Sequence, residues 1–483
     1  MPYVAAIDAG TTGVKTLVFD DGGRVCGAAA REIAVSYPRA GWVEQDATEI
    51  VAAAVATVAE AAHVAGIGAA DLSALGITNQ RSSVVAWDGP TRDPLAPMIV
   101  WQDVRTAERC RELQNEGLFI QPMMAASKAE WLLANVESVA DARASGRLRF
   151  GTLNSYLVAA LAGDVNLTDH GNASASGMYS YFENDWDAGV LAGLGLDAGL
   201  LPKLVPTAEV FATSDGERLG AAVPIAAMAG DQQASLFGLA CVDKGQTKAS
   251  YGTSAMVTAN AGNTVGLGGA GTYPVVGWSL GDEVVFTLEG NVVTAGAAVQ
   301  WLRDGLGIID DAAETGALAS SVADTGGVWA VPALQGLGTP WMSDGARAVV
   351  GGLSRASGKA EIVRAVLESI AHRIADVADS VWEQSGPAPL LRVDGGASRN
   401  DFLMQTQADL LGIAVERSPE SDGGAMGAAK LAGLAVGVWN SVEETAGVWK
   451  ADRVFEPAID AGRRDEARAT WRRRVEFVLG AVE

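Results

Sequence analysis

Tyr3-Val4-Ala5-Ala6-Ile7-Asp8-Ala9-Gly10-Thr11-Thr12-Gly13-Val14-Lys15-Thr16-Leu17-Val18-Phe19 reads as strand, tight turn, strand. The turn's glycines, Gly10 and Gly13, accept backbone angles that a side chain would block. Amides in such a turn can converge on an anion, and the Thr11 and Thr12 hydroxyls add donors. Asp8, ending the first strand, is placed to hold a metal beside that anion, so a phosphate and Mg²⁺ are the natural guests. An ordinary glycine-rich hairpin has the same local pattern, and the rest of the chain must decide between them. A P-loop is excluded, because Val14 separates Gly13 from Lys15 and a strand follows where that motif needs a helix.

Outward from the hairpin, bulk properties restrict the partners. At 483 residues the chain exceeds a single core and should divide into two large domains. Its 49% hydrophobic and 19% charged residues describe a compact globule. A net charge of −23 argues against nucleic acid and anionic membrane as partners. A bound polyphosphate must then be held by local amides, hydroxyls and Mg²⁺ against an unfavourable overall field. Cys26, Cys110 and Cys241 have neither metal-ligand nor disulfide-framework spacing, and no uninterrupted apolar run approaches the roughly 20 residues that span a bilayer. Met1-Pro2-Tyr3-Val4 has no basic region ahead of its apolar run, so a cytoplasmic location is expected.

Strand patterns at Val4 to Ile7, Thr16 to Phe19, Arg24 to Ala29, Ala74 to Ile77 and Val84 to Trp87 surround a helix-period segment, Ala47 to Ala65. A further helix is expected over Lys128 to Ala142, with Trp131, Leu132, Val136 and Val139 on one face. The small-residue strand Ile225 to Gly230 meets Asp231-Gln232-Gln233, a helix opening on a carboxylate, where Asp231 is a natural N-cap. Lys248 to Val257 repeats the strand, Gly-Thr turn, strand pattern of the first hairpin. A long helix over Lys359 to Glu383 leads into Leu390 to Asn400, which reads as buried strand, glycine turn and helix start. The pattern predicts two α/β domains, 1–244 and 245–483, each with a phosphate-type hairpin. Gly266-Leu267-Gly268-Gly269-Ala270-Gly271 fits the dinucleotide fingerprint formally, but Thr272-Tyr273-Pro274 follows and no helix opens there.

Six blocks, taken in order, carry a family resemblance: Gly76-Ile77-Thr78-Asn79-Gln80-Arg81, Ile99-Val100-Trp101-Gln102-Asp103, Ser127-Lys128-Ala129-Glu130-Trp131-Leu132-Leu133, Ala229-Gly230-Asp231-Gln232-Gln233, Leu337-Gly338-Thr339-Pro340-Trp341 and Val393-Asp394-Gly395-Gly396. Nearly end to end, the chain resembles the FGGY carbohydrate kinases, most of all their glycerol-phosphorylating branch. The resemblance implies two actin-like, ribonuclease H-like α/β domains flanking a nucleotide-binding cleft, and ATP-dependent phosphorylation of a hydroxyl on a small polyol or sugar. By resemblance, Thr11, Thr12, Lys15 and Thr253 meet the phosphates, while Gly296, Gln300, Gly396 and Asn400 surround the adenosine. Without it, the two glycines read as close packing, and Gln300 and Asn400 as surface or capping residues. Asp231 resembles the catalytic base, and Asp8 and Asp231 would share Mg²⁺, largely through water. Arg81, Trp101, Asp231 and Gln232 match the family's acceptor site. The implied partners are a small polyol or sugar and, in a homodimer or homotetramer, further copies of the chain.

The acceptor site departs from the branch at three places. Ser82 stands where the family has glutamate, Met123 where it has tyrosine, and Met256 where it has phenylalanine. Losing a carboxylate removes a strong acceptor for one substrate hydroxyl, and two aromatics become adaptable thioethers. Two acceptor readings stay open: glycerol itself, or a tetritol, pentitol or ketose such as xylulose. Leu219-Gly220-Ala221-Ala222-Val223-Pro224 lacks the arginine of the loop through which some family members respond to fructose 1,6-bisphosphate, so that regulation is not carried over. A non-catalytic sugar or nucleotide sensor and an actin-like filament former are the readings from other classes. The joint presence of Asp8, Thr11, Thr253 and Asp231 opposes the first, and Arg81, Trp101 and Gln232 oppose the second.

Overall fold

The opening hairpin forms as expected, because Val4-Ala5-Ala6-Ile7 is a continuous apolar run, the pattern of a strand buried on both faces. In the computed structural model, which describes residues 2–266, 268–420 and 422–481, strand β1 (Tyr3–Ala9) pairs antiparallel with β2 (Gly13–Asp20), and β2 with β3 (Val25–Glu32). Met1 and, within the glycine run weighed as a dinucleotide fingerprint, Leu267 lie outside the described residues. β4 (Leu72–Asn79) lies parallel to β1 on its other side, and β6 (Pro224–Gly230) parallel to β4, with β5 (Ala208–Thr213) antiparallel at the edge. The sheet order is therefore β5-β6-β4-β1-β2-β3.

The second sheet repeats this plan. β7 (Thr247–Tyr251) and β8 (Ala255–Gly262) form the hairpin, and β10 (Glu283–Val292) continues it antiparallel, with β9 (Tyr273–Leu280) beyond. On the other side β11 (Leu390–Asp394) and β12 (Ala414–Arg417) add in parallel, and β13 (Arg453–Phe455) closes the edge antiparallel. In both sheets three antiparallel strands are extended by two parallel strands beside the first of them. That order is the ribonuclease H-like, actin-like arrangement, so the weak echo between the two hairpins reflects a repeated scaffold.

The chain divides into two compact units. One comprises Met1–Ala240, and the later segments Val275–Val285 and Gly424–Trp449 fold with it; the other comprises Cys241–Pro274, Phe286–Gly423 and Lys450–Glu483. The change of unit thus falls at Ala240/Cys241, four residues before the expected 244/245, and the chain later returns twice to the first unit.

Helix α1 (Ala47–Val64) begins at Asp46, whose carboxylate accepts from the Thr48 amide at 2.8 Å, and buries Ile50, Val51, Ala54, Val58 and Ala61 in the first unit's core. Truncating Ile50 to alanine there costs about 2–5 kcal/mol. Among the described residues α1 alone is long and apolar enough to cross a membrane, but half of it is buried inside the protein, as in a core helix. The helix expected over Lys128 to Ala142 is two helices, α2 (Ala125–Asn135) and a shorter one over Glu137–Ala144. The break falls at Val136, which is extended at φ −120°, and Asn135 turns its amide back onto the Trp131 carbonyl at 2.8 Å, a side-chain bond that closes a helix end.

Candidate active site

Asp8 leads the β1–β2 turn, with Lys15 as its antiparallel partner and Thr78 as its parallel partner on β4. Opposed residues on one sheet face lie within reach of each other, so carboxylate and ammonium share a face of the hairpin. The Gly10 amide closes the turn on the Gly13 carbonyl at 3.0 Å. Thr12 is exposed, whereas Thr11 is engaged: its hydroxyl donates to Gln80 Oε1 at 3.2 Å and accepts from Trp101 Nε1 at 3.1 Å. Gln80 Nε2 donates to Gln45 Oε1 at 2.8 Å, and Gln45 Nε2 to the Thr11 carbonyl at 2.8 Å. Ser83 donates to Gln80 Oε1 at 3.0 Å and accepts from the Trp101 amide at 3.1 Å. This closed set of amide and hydroxyl groups fixes the turn against the segment carrying Trp101.

Asp231 opens helix α3 (Asp231–Gly238). It is the first helical residue, and Gly230 takes the N-cap position for which Asp231 was expected. The strand arrives straight at the helix with Gly230 extended, so the carboxylate projects from the first turn. Its Oδ1 accepts from the Gln232 amide at 2.8 Å and its Oδ2 from Gln232 Nε2 at 3.2 Å, while Arg81 Nε stands 3.5 Å from Oδ1. Registers Asp8↔Thr78 and Thr78↔Ala229 place Asp8 two strands away from the approach to Asp231. At about 4.8 Å between strands, the two carboxylates belong to one end of one sheet. A cation between them would have hard oxygen donors, the donor type Mg²⁺ takes. Among the described residues no cluster of three or more His, Cys, Asp or Glu forms a protein cage.

The residues of the first unit expected to meet the acceptor fall into distinct states. Ser82 adopts a left-handed backbone (φ 60°), is buried, and donates its hydroxyl to the Ala175 carbonyl at 2.8 Å. It therefore does not stand in for the lost carboxylate. Met123 is 37% exposed. Sequence reasoning assigned no role to Lys128, though it stands in a quoted block; its Nζ donates to the carbonyls of Trp101 and Met123, each at 3.2 Å, and its side chain is fully buried. That burial pushes its pKa down to about 7, partly opposed by the Asp103 charge. In the second unit Met256 is half-buried, with the Tyr273 hydroxyl 3.8 Å from its sulfur.

The second unit holds a cavity of about 760 Å³. Thr253, Gly296, Gln300, Gly396 and Asn400 all line it, so the structure gathers five of the expected nucleotide residues at one place. It lies beside the β7–β8 turn, helix α4 (Gly296–Gln300), helix α5 (Glu314–Ser320) and the start of helix α7 (Asp401–Leu411). The Ala295 and Ala297 amides donate to the Thr253 carbonyl at 3.1 and 2.9 Å, and the Gly296 amide to the Gly252 carbonyl at 3.0 Å. A methyl on Gly296 would sit 2.6 Å from that carbonyl oxygen, so glycine is required there by packing. A methyl on Gly396 meets no protein atom within 4 Å, so its glycine leaves open space for a ligand. Asn400 caps α7, accepting from the Leu403 amide at 3.1 Å, and donates to Thr315 Oγ1 at 3.0 Å. Thr315, Gly316 and Arg303 complete the wall, and no motif in the sequence marked them.

Comparison with known proteins identifies the family. The model of the FGGY family of carbohydrate kinases, N-terminal domain, matches residues 3–238, and that of its C-terminal domain matches residues 247–436. The chain belongs to the FGGY family of carbohydrate kinases, and is an ATP-dependent phosphotransferase acting on a hydroxyl of a small polyol or sugar. It is 44% identical to the glycerol kinase of Aromatoleum aromaticum over 494 residues, covering 100% of each chain, and 43% identical to that of Symbiobacterium thermophilum over 490 residues, covering 99% and 98%. Plasmodium falciparum glycerol kinase with ADP superposes with a TM-score of 0.93 at 28% identity, covering 99% of this chain and 98% of that one. A ligand-bound xylulose kinase from Lactobacillus acidophilus shares the fold at a TM-score of 0.86 and 21% identity, covering 100% and 98%.

Proposed function

We propose that the chain transfers the γ-phosphoryl group of ATP to a small polyol, with Asp231 as general base. The observation that carries the assignment is Asp231 itself, a half-exposed carboxylate at a helix start, oriented by Gln232 and within 3.5 Å of Arg81. In this reading Asp231 takes the proton of the attacking hydroxyl, Arg81 and Gln232 anchor neighbouring hydroxyls, and the Trp101 ring walls the carbon chain. Phosphoryl transfer passes through a loose transition state, so positioning and charge neutralisation matter more than proton removal. Thr11, Thr12, Lys15 and Thr253 are read as phosphate contacts, and Gly296, Gln300, Gly396 and Asn400 as the surround of the adenosine. Mg²⁺, held in this reading by Asp8 and Asp231, supplies neutralisation of phosphate charge when bound.

An acceptor larger than glycerol, such as a tetritol or pentitol, accords with Ser82 being turned away and Met123 being flexible and partly exposed. Glycerol is the second reading, favoured by the 43–44% identity to full-length glycerol kinases. A cytoplasmic location accords with Cys26, Cys110 and Cys241 forming no disulfide. ADP release measured with glycerol, tetritols, pentitols and ketoses tests the proposal. The expected result is strong stimulation by a polyol, with a tetritol or pentitol ahead of glycerol in kcat/KM. A strong preference for glycerol overturns the acceptor reading, and no stimulation by any acceptor overturns the kinase reading.

A further inference from the structure

Lys128 is a cation-forming side chain with zero exposure, on the α2 face that also buries Ala125, Ala129 and Leu132. A buried amine is retained only where it finds hydrogen-bond partners, and here two main-chain carbonyls accept from it. Those carbonyls belong to Trp101 and Met123, two residues 22 positions apart in sequence, on separate segments. The Trp101 segment is pinned at further points: its amide donates to Ser83, its indole to Thr11, and two residues on Asp103 accepts from Arg105 and from the Val43 amide. Arg105 is itself clamped, 3.7 Å over the Trp42 ring and 4.7 Å over that of Trp131 on α2. Met123, by contrast, is 37% exposed and stands two positions before α2 begins, so the lysine is a direct tie between a fixed wall and an exposed edge.

We propose that Lys128 is a positioning residue for the acceptor pocket, setting the spacing between the Trp101 wall and the Met123 edge and thereby the length of polyol admitted. The inference rests on the reading that Trp101 and Met123 face the acceptor. It explains why an amine is tolerated in an apolar cluster: methionine of similar length would pack there but leave both carbonyls without a donor. The lysine touches neither nucleotide nor the reacting atoms in this scheme, so its loss should appear in acceptor binding and selectivity alone.

The test compares Lys128→Met, Lys128→Gln and Trp101→Ala in the full-length enzyme, by steady-state kinetics with the preferred acceptor and glycerol, by ADP binding and by thermal unfolding. The expected result is an acceptor KM raised on the order of tenfold or more in Lys128→Met, with a changed ratio of kcat/KM between the two acceptors, while KM for ATP and Kd for ADP stay within twofold. Lys128→Gln, which keeps one donor, should fall between. If Trp101→Ala raises the acceptor KM and both lysine variants leave it within twofold, the lysine proposal fails alone. If Trp101→Ala also leaves it unchanged, the acceptor reading fails and the proposal with it. If neither lysine variant folds, Lys128 is a structural residue and the proposal is overturned.

Discussion

The two units carry the same five-strand scaffold and the same hairpin, yet they hold those hairpins by different means. In the first unit the turn is tied by side chains, with Thr11, Gln80, Gln45, Ser83 and Trp101 bonded in a closed set. In the second the turn is tied by backbone, with three successive amides, Ala295 to Ala297, donating to the Gly252 and Thr253 carbonyls. In the proposed reading the first hairpin serves a hydroxylated acceptor and a phosphate at once, which calls for directional side-chain groups nearby. In the same reading the second hairpin stands beside the adenosine, and there close backbone approach requires glycine at Gly296. The difference predicts that substitutions in the first unit act through lost polar partners, and in the second through added methyl groups.

The largest expected effect separates the units by function. On the reading that Asp231 is the base, Asp231→Asn keeps one oxygen to accept from the Gln232 amide but removes the base and the acceptor of Gln232 Nε2, so kcat should fall about 10²- to 10⁴-fold. The cavity read as the adenosine site lies wholly in the second unit, so Kd for ADP measured without Mg²⁺ should change far less than kcat. Retention of near-normal kcat would remove Asp231 from the role of base.

Next in size is a pair of glycines on the wall of one cavity. Gly296→Ala places a methyl 2.6 Å from a fixed carbonyl oxygen, an overpacking that should cost about 1–3 kcal/mol and show as a lowered Tm. Gly396→Ala meets no protein atom, so Tm should not move, and Kd for ADP should rise several-fold because the new methyl occupies ligand space. Equal Tm losses in the two variants would contradict the assignment of Gly396 to the ligand.

A smaller contrast tests the hairpins directly. Thr11→Val removes a hydroxyl that bonds both Gln80 and Trp101, leaving partners unmatched at a cost of about 1–3 kcal/mol. Thr253→Val changes an exposed side chain whose hydroxyl bonds no described residue, so stability should stay within about 0.5 kcal/mol while nucleotide affinity falls. Denaturant unfolding of both variants, with and without ADP, reads the two effects separately.

What the sequence discloses follows the same division. The opening hairpin and the long helix, found at Lys359–Ser385, were legible because apolar periodicity and glycine spacing are local signals. The repeat between units was visible only as an echo, since strand order is set by pairings between residues far apart in sequence. The break at Val136 was hidden because the apolar stripe runs straight through it, and only the Asn135 to Trp131 bond shows the helix closing. Gly296 and Gly396 look alike as letters, and only the carbonyl facing one of them distinguishes packing from ligand space. Arg303, Thr315 and Gly316 carry no motif at all, because a cavity wall is assembled by tertiary approach of three helices.

Lys128 offers the finest test, since it is a charge buried in the unit that relies on side-chain partners. Burial holds its folded-state pKa at about 7, below the usual lysine value of about 10.5. Between those values the unfolded chain binds more protons than the folded one, so the lysine's contribution to stability is complete above about pH 10.5 and declines as pH falls toward about 7. Lys128→Met has no such dependence. The Tm of the variant minus that of the parent should therefore become more favourable to the variant as pH is lowered from about 9 to about 6. The opposite slope would mean that the ammonium form is the one the folded protein prefers, with the Asp103 charge outweighing burial. A flat difference would mean that Lys128 keeps the pKa of an exposed lysine, and would remove the desolvation that distinguishes this residue from every other amine in the first unit's acceptor region.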